Sequence, residues 1–272
     1  MESTMQLVEG LDVTNPVNAT RPSDRVSSRY EFISTSEAVN HVLTSGGDWK
    51  VTSTWSRRPR KSDPTKAMHA VTLTSDTLSF IDPRHDSRPV KLRCIISNSH
   101  DGTSGLNMFL GLFSFVCSNG LVVGRTEGGA IAARHIISKN SGSKLDIIRN
   151  SFNGILEGFK SLPETVAEMA RTNLSEEERF SFARDCVALR YGADDPKVSD
   201  ESYLDRLLLP CRESDEKSEN SVWTTYNIVQ EKLTKGWSPS VGRKQRGLVN
   251  MSRNIGLNMG LWNKATSLIT LN

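Results

Sequence analysis

The sequence predicts an α+β protein, with an antiparallel β-sheet in the N-terminal half and helices in the C-terminal half. Three observations carry this. Between Trp49 and Ser97, short runs rich in β-branched residues alternate apolar and polar positions. The links between those runs are too short for helical crossovers, so neighbouring strands must be antiparallel. Beyond Gly142 the apolar period lengthens to that of a helix.

Taken in order, the first thirty residues are rich in Ser, Thr, Asn and Pro and read as a flexible leader (1–29), with order beginning at Tyr30. Ser34-Thr35-Ser36-Glu37 matches a capping box at the start of a short helix that stops at Gly46-Gly47. A strand follows in which Trp49, Val51, Ser53 and Trp55 alternate with Lys50, Thr52, Thr54 and Ser56. After the basic loop Arg57 to Pro64, strands are expected at Met68 to Thr74, Thr77 to Ile81 and Pro89 to Ser97. Leu106 to Cys117 fits a buried strand or a helix equally, and Leu121 to Val123 and Ala130 to Ile137 resemble strands. These elements make a sheet-rich core over 30–142.

The helical region, 143–272, is packed on or extends from that core. Leu145, Ile148, Phe152, Ile155, Leu156 and Phe159 form an amphipathic stripe, with Pro163 near its end or at a restart. Ser175 caps a helix with acids in its first turn that runs to Tyr191. Further helices are expected at Ser199 to Leu209, Val222 to Lys235 and roughly Lys244 to Leu268.

A chain of 272 residues, 36% hydrophobic and 24% charged, is long enough to bury a core without disulfides or metal. Cys94, Cys117, Cys186 and Cys211 are scattered, with no CxxC pair, which suits a reducing compartment. The longest apolar stretch, Met108 to Cys117, is too short to span a bilayer, and Met1 to Gly10 lacks a basic, apolar leader. A cytoplasmic protein with no membrane partner is therefore expected. Charge is segregated: residues 151–220 carry 9 Lys/Arg against 16 Asp/Glu, whereas 221–272 carry 7 against one, Glu231. Such asymmetry suits either an anionic partner or internal neutralisation.

The block Ile96 to Gly102 (ISNSHDG), followed by Val116 to Leu121 (VCSNGL), resembles the domain-of-unknown-function family 932, whose members are described as phage/plasmid-like proteins. Trp223, Tyr226-Asn227, Gln230-Glu231, Arg243, Leu257 and Leu261-Trp262 are similar to that family's C-terminal pattern. The resemblance spans roughly Trp49 to Leu268. It implies a mobile element in a bacterial host, often near recombination or replication functions.

Candidate sites divide by chemistry. His100-Asp101 and His85-Asp86 each set a metal-capable nitrogen beside a carboxylate, but their spacing matches no ligand pattern, and His100-Asp101-Gly102 is equally turn chemistry. Cys117, near His100 or His135 as a base, follows an apolar run that predicts burial as an inert thiol. Ser118-Asn119-Gly120 and Gly128-Gly129 form neither a Walker loop nor a GxGxxG fingerprint, and no cofactor is expected. No residue is therefore assigned a catalytic or metal-binding role.

The basic stretches say more. Arg57, Arg58, Arg60 and Lys61 share one loop next to Trp55, and Arg243, Lys244 and Arg246 form a second cluster after Trp237. Lysine and arginine neutralise phosphates while nearby aromatics can stack unpaired bases; the alternative is tryptophans in the core and arginines in an ordinary solvated loop. The expectation is a nucleic-acid-binding protein, possibly for single-stranded DNA in annealing, recombination or replication, acting as a homo-oligomer. The alternatives are a metal-dependent hydrolase or nuclease using His100 and Asp101, or a phage protein that binds a host factor through its acidic segment.

Overall fold

The computed structural model describes residues 14–57, 63–84, 89–114, 120–122, 130–133, 146, 152–153, 156–157, 159–211, 220–240, 243–248 and 250–270. The chain is α+β, with an antiparallel sheet in its N-terminal half and helices in its C-terminal half. Two compact units interleave in sequence rather than meeting at one boundary. The first takes Met1–Ser79, Lys91–Gly111 and Thr126–Phe159; the second takes Phe80–Val90, Leu112–Arg125 and Lys160–Asn272.

Order begins before Tyr30. Pro16–Asn18 form a 3₁₀ turn capped by the Asn15 side chain, and all three residues are buried. Helix α1 (Thr35–Thr44) starts at Ser34, whose hydroxyl accepts from the Glu37 amide at 3.2 Å. Its Ala38, Val39 and Val42 are fully buried.

The main sheet has six described strands: β1 (Trp49–Ser56), β2 (His69–Ile81), β3 (Pro89–Asn98), β4 (Leu106–Ser114), β5 (Gly120–Val122) and β6 (Ala130–Ala133). Their order is β1-β2-β3-β4-β5, with β6 also pairing β4. The expected strands at Met68 to Thr74 and Thr77 to Ile81 are one continuous β2, and Leu106 to Ser114 is strand rather than helix. Val71, Leu73, Leu92, Cys94 and Ile96 are buried. Burial pushes the Cys94 thiol well above its ordinary range, leaving it unreactive. Cys117, His85, Asp86, Ser118, Asn119 and Gly128-Gly129 lie outside the described residues.

Of the stripe from Leu145 to Phe159, Phe152, Leu156 and Phe159 are described and helical, and Phe152 and Phe159 are buried. The Phe152 ring lies 5.9 Å from the rings of both Trp49 and His41, so this segment packs on β1 and α1.

The second unit is built around α2 (Leu162–Arg171), α3 (Glu176–Tyr191), α4 (Glu201–Leu208), α5 (Val222–Lys235) and α6 (Met251–Thr270). Pro163 stands in the first turn of α2, so it restarts a helix. Ser175 and Glu178 close a full capping box on α3. Helix α5 is buried on nearly every side, including its polar residues, which marks it as the centre of this unit. Those polar groups are answered from within. Gln230 donates to Asn258 at 2.7 Å, and the Lys232 ammonium donates to the carbonyls of Arg206, Leu207 and Leu209 at the end of α4.

The expected helix from Lys244 is corrected. Residues Gly236–Ser240 (β7) and Arg243–Arg246 (β8) form a hairpin, and α6 starts only at Met251. Two glycines make this possible: a Cβ on Gly236 would collide with the Gln245 carbonyl, and one on Gly247 with the Lys235 carbonyl.

Candidate nucleic-acid interface

The first unit presents an edge strand with an unusual exposure pattern. β1 stands first in the strand order, and from Thr52 to Ser56 every residue is exposed, followed by exposed Arg57. Antiparallel pairing sets Trp49 opposite Ser75 and Val51 opposite Leu73, on the face of the buried Val71. The register then shifts between Val51 and Ser53. Beyond this bulge Ser53 opposes Thr72 and Trp55 opposes Ala70, the same face on which Lys50 opposes Thr74.

One extra residue thus separates two tryptophans that simple alternation puts together. Trp49 is 5% exposed and belongs to the core, whereas Trp55 is 37% exposed. The bulge is held by Thr52, whose hydroxyl lies 3.3 Å from the Thr72 carbonyl and 3.2 Å from the Thr74 hydroxyl.

Further cations share this face. Arg93 donates to the Thr72 hydroxyl at 3.4 Å, and Lys91 donates to Asp76 at 2.6 Å while Lys50 donates to the other oxygen of the same carboxylate. Those two ammonium groups hold the Asp76 carboxyl down at about 2, far below its ordinary value. The strip from Lys50 to Arg57 therefore combines an exposed ring, exposed hydroxyls and cations.

Of the residues proposed from sequence, Trp55 and Arg57 lie together at the end of β1, and Arg58, Arg60 and Lys61 fall outside the described residues. Lys244 and Arg246 are exposed on β8, in the second unit, on the strand that Arg243 opens. The hairpin is anchored by Gln245, whose side-chain oxygen accepts from the hydroxyls of Tyr191 and Tyr203. Trp237 is half-buried, 5.3 Å from the Tyr203 ring, with the Lys232 ammonium 5.2 Å from its own ring centre.

His100 and Asp101 do not act as a pair. Asp101 accepts from the amide and hydroxyl of Thr103 at 3.0 and 2.6 Å, closing a turn in which Gly102 has φ +80°. The His100 ring is instead fully buried, with Nε2 at 3.3 Å from the Thr35 hydroxyl. Among the described residues no group of three His, Cys, Asp or Glu side chains could hold a metal ion, and no helix is long and apolar enough to cross a membrane.

The profile of the family described as Domain of unknown function (DUF932) matches residues 22–262. The chain belongs to this family. The DUF932 chain is also similar to UPF0380 protein YfjQ of Escherichia coli (strain K12), 28% identical over 253 residues, covering 90% of this chain and 84% of that protein. UPF0380 protein YafZ of the same organism is 32% identical over 184 residues, covering 65% of this chain and 62% of that protein. No solved structure matches.

Two features of this DUF932 chain escape sequence reading. The Lys50–Asp76–Lys91 cluster joins three strands, and nothing local marks its members. The second is a buried cluster around Thr35, whose hydroxyl oxygen lies 2.8 Å from Nε2 of His69, 2.9 Å from Nδ2 of Asn98 and 3.3 Å from His100 Nε2. His69 Nδ1 faces the Ala67 carbonyl at 2.8 Å, so it carries the proton and leaves Nε2 to accept from Thr35. The Thr35 oxygen then accepts from Asn98 and from His100.

Proposed function

We propose that the protein binds nucleic acid, with single-stranded DNA as its ligand, in annealing, recombination or replication on a mobile element. The reading rests above all on Trp55, exposed at 37% in an edge strand whose neighbours from Thr52 to Arg57 are also exposed. An exposed ring beside cations and hydroxyls offers base stacking and phosphate neutralisation together, which single strands need and which tolerates any sequence. The hairpin carrying Lys244 and Arg246 gives the second unit a basic surface of its own, and a homo-oligomer would repeat each surface.

The test is titration of a labelled oligothymidine by fluorescence anisotropy at low salt, with tryptophan emission followed in parallel. Binding that weakens steeply with salt and quenches emission is expected. No binding of single- or double-stranded oligonucleotide at low salt would refute the proposal.

A second reading, capture of a host factor, is favoured by a cleft of about 360 Å³ in the second unit lined by Glu176, Arg179, Asp205, Phe180, Leu208 and Leu209. Leu209 is 57% exposed there. Two carboxylates, the Arg179 guanidinium and apolar side chains would suit an amphipathic segment of a partner.

A further inference from the structure

We infer that Lys50 and Lys91 form a phosphate clamp in which Asp76 is the resident counter-ion, displaced when a single strand lies along β1. The inference rests on the nucleic-acid reading and names both a site within it and the residue that limits its affinity.

The geometry carries it. Lys50 on β1 and Lys91 on β3 reach in from either side of β2, each taking one oxygen of the Asp76 carboxylate. A phosphodiester presents its two non-bridging oxygens to paired donors in the same way. The cluster opens on the Lys50 side: the side chains of Lys50, Asp76 and Lys91 are 70%, 37% and 17% exposed, so an incoming phosphate meets Lys50 first and reaches Lys91 as Asp76 is displaced. The β1 bulge puts Lys50 and Trp55 on one face, so a phosphate at the clamp and a base on the ring can belong to one strand.

Asp76 also has a cost under this reading. Together with exposed Asp48, whose carbonyl accepts from the Asp76 amide at 3.2 Å, it adds negative charge where a polyanion must pass. An exposed salt bridge contributes little to stability, so fold stability gives small reason for a carboxylate shared between two lysines. A counter-ion that keeps the unliganded clamp neutral and sets a ceiling on affinity does give one.

The experiment compares wild type, Trp55→Ala, Asp76→Asn, Asp76→Ser and Asp76→Asn combined with Lys50→Gln and Lys91→Gln, using oligothymidine anisotropy over a salt series and a thermal melt of each variant. Both single variants should tighten binding roughly five- to tenfold at low salt and steepen the salt slope by about 0.7 for each further phosphate neutralised. The combined variant should bind no more tightly than wild type. If neither Asp76 variant tightens binding while Trp55→Ala still weakens it, the clamp is an ordinary ion pair and the nucleic-acid reading survives alone. If neither wild type nor the Asp76 variants bind, both fall together.

Discussion

The indole nitrogen of Trp223 donates to Oδ1 of Asp82 at 3.0 Å, joining residues 141 positions apart within the second unit. Arg84 completes the arrangement: Nε and Nη2 bond the two oxygens of Asp82 at 3.1 and 2.8 Å, and its guanidinium carbon lies 5.8 Å from the Trp223 ring centre. Both charged side chains are essentially buried, at 2% and 0% exposure. An isolated buried ion pair is often neutral for stability, but removing one member strands the other in a low dielectric. Asp82→Asn should therefore cost about 3–5 kcal/mol in urea unfolding. Trp223→Phe, which keeps an aromatic ring and removes the donor, should cost about 1.5–3 kcal/mol.

The same residue predicts an acid limb. Burial pushes the Asp82 carboxyl up, but the bonds and charge from Arg84 and the bond from Trp223 outweigh it, and it titrates below the usual range. A depressed folded value means the stabilisation is complete above the unfolded value of about 3.9 and is lost as pH falls through the folded one. Melts between pH 6 and pH 2 should show wild type losing stability at the acid end more steeply than Asp82→Asn. Parallel acid limbs would remove Asp82 from the account.

In the first unit the hydroxyl of Thr35 is the test. Thr35→Val keeps the shape and deletes the group that bonds His69, His100 and Asn98, all of them fully buried. A loss of about 2–4 kcal/mol is expected, with Thr35→Ser within about 1 kcal/mol of wild type. Nitrogen chemical shifts should also show His69 protonated at Nδ1 and His100 at Nε2. The opposite tautomer at His69 would break the chain of donors deduced from the Ala67 carbonyl.

Phe152 checks the packing of the amphipathic stripe. Its ring is fully buried against Trp49 and His41. Phe152→Ala should cost about 3–5 kcal/mol, because it leaves a large cavity. A loss below about 1 kcal/mol would mean that the site collapses or that the ring packs elsewhere.

Period and caps were enough for much of this architecture. Helix α5 runs from Val222 to Lys235, the span expected from sequence, and α3 ends at Tyr191 just before Gly192. Helix signals are local, so local reading finds them. The hairpin at Gly236–Arg246 was not legible, because its two glycines are needed for an approach between segments that meet only in the fold. The β1 bulge was hidden for a related reason: alternation assigns Trp49 and Trp55 to one face, and only the pairing with β2 reveals the extra residue. His100 shows the same limit. Its sequence neighbour Asp101 suggested a metal pair, while its actual partner, Thr35, lies 65 residues away.

The bulge makes the last prediction discriminating. Trp55 is exposed, so a role in the core and a role in binding separate cleanly on substitution. Trp55→Ala should leave the melting temperature within about 1–2 °C of wild type, since exposed positions usually change stability by under about 0.5 kcal/mol. It should weaken oligothymidine binding by about 1–3 kcal/mol if a base stacks on the ring. Trp49→Ala must do the reverse, costing about 3–5 kcal/mol of stability because Trp49 fills the core. Arg57→Glu should weaken binding without unfolding and lower the salt slope by about 0.7, the signature of one lost phosphate contact on a single strand. A Trp55→Ala protein that unfolds early yet binds, scaled to its folded fraction, like wild type would assign this ring to packing. The exposed strip would then have no ring on which a base can stack.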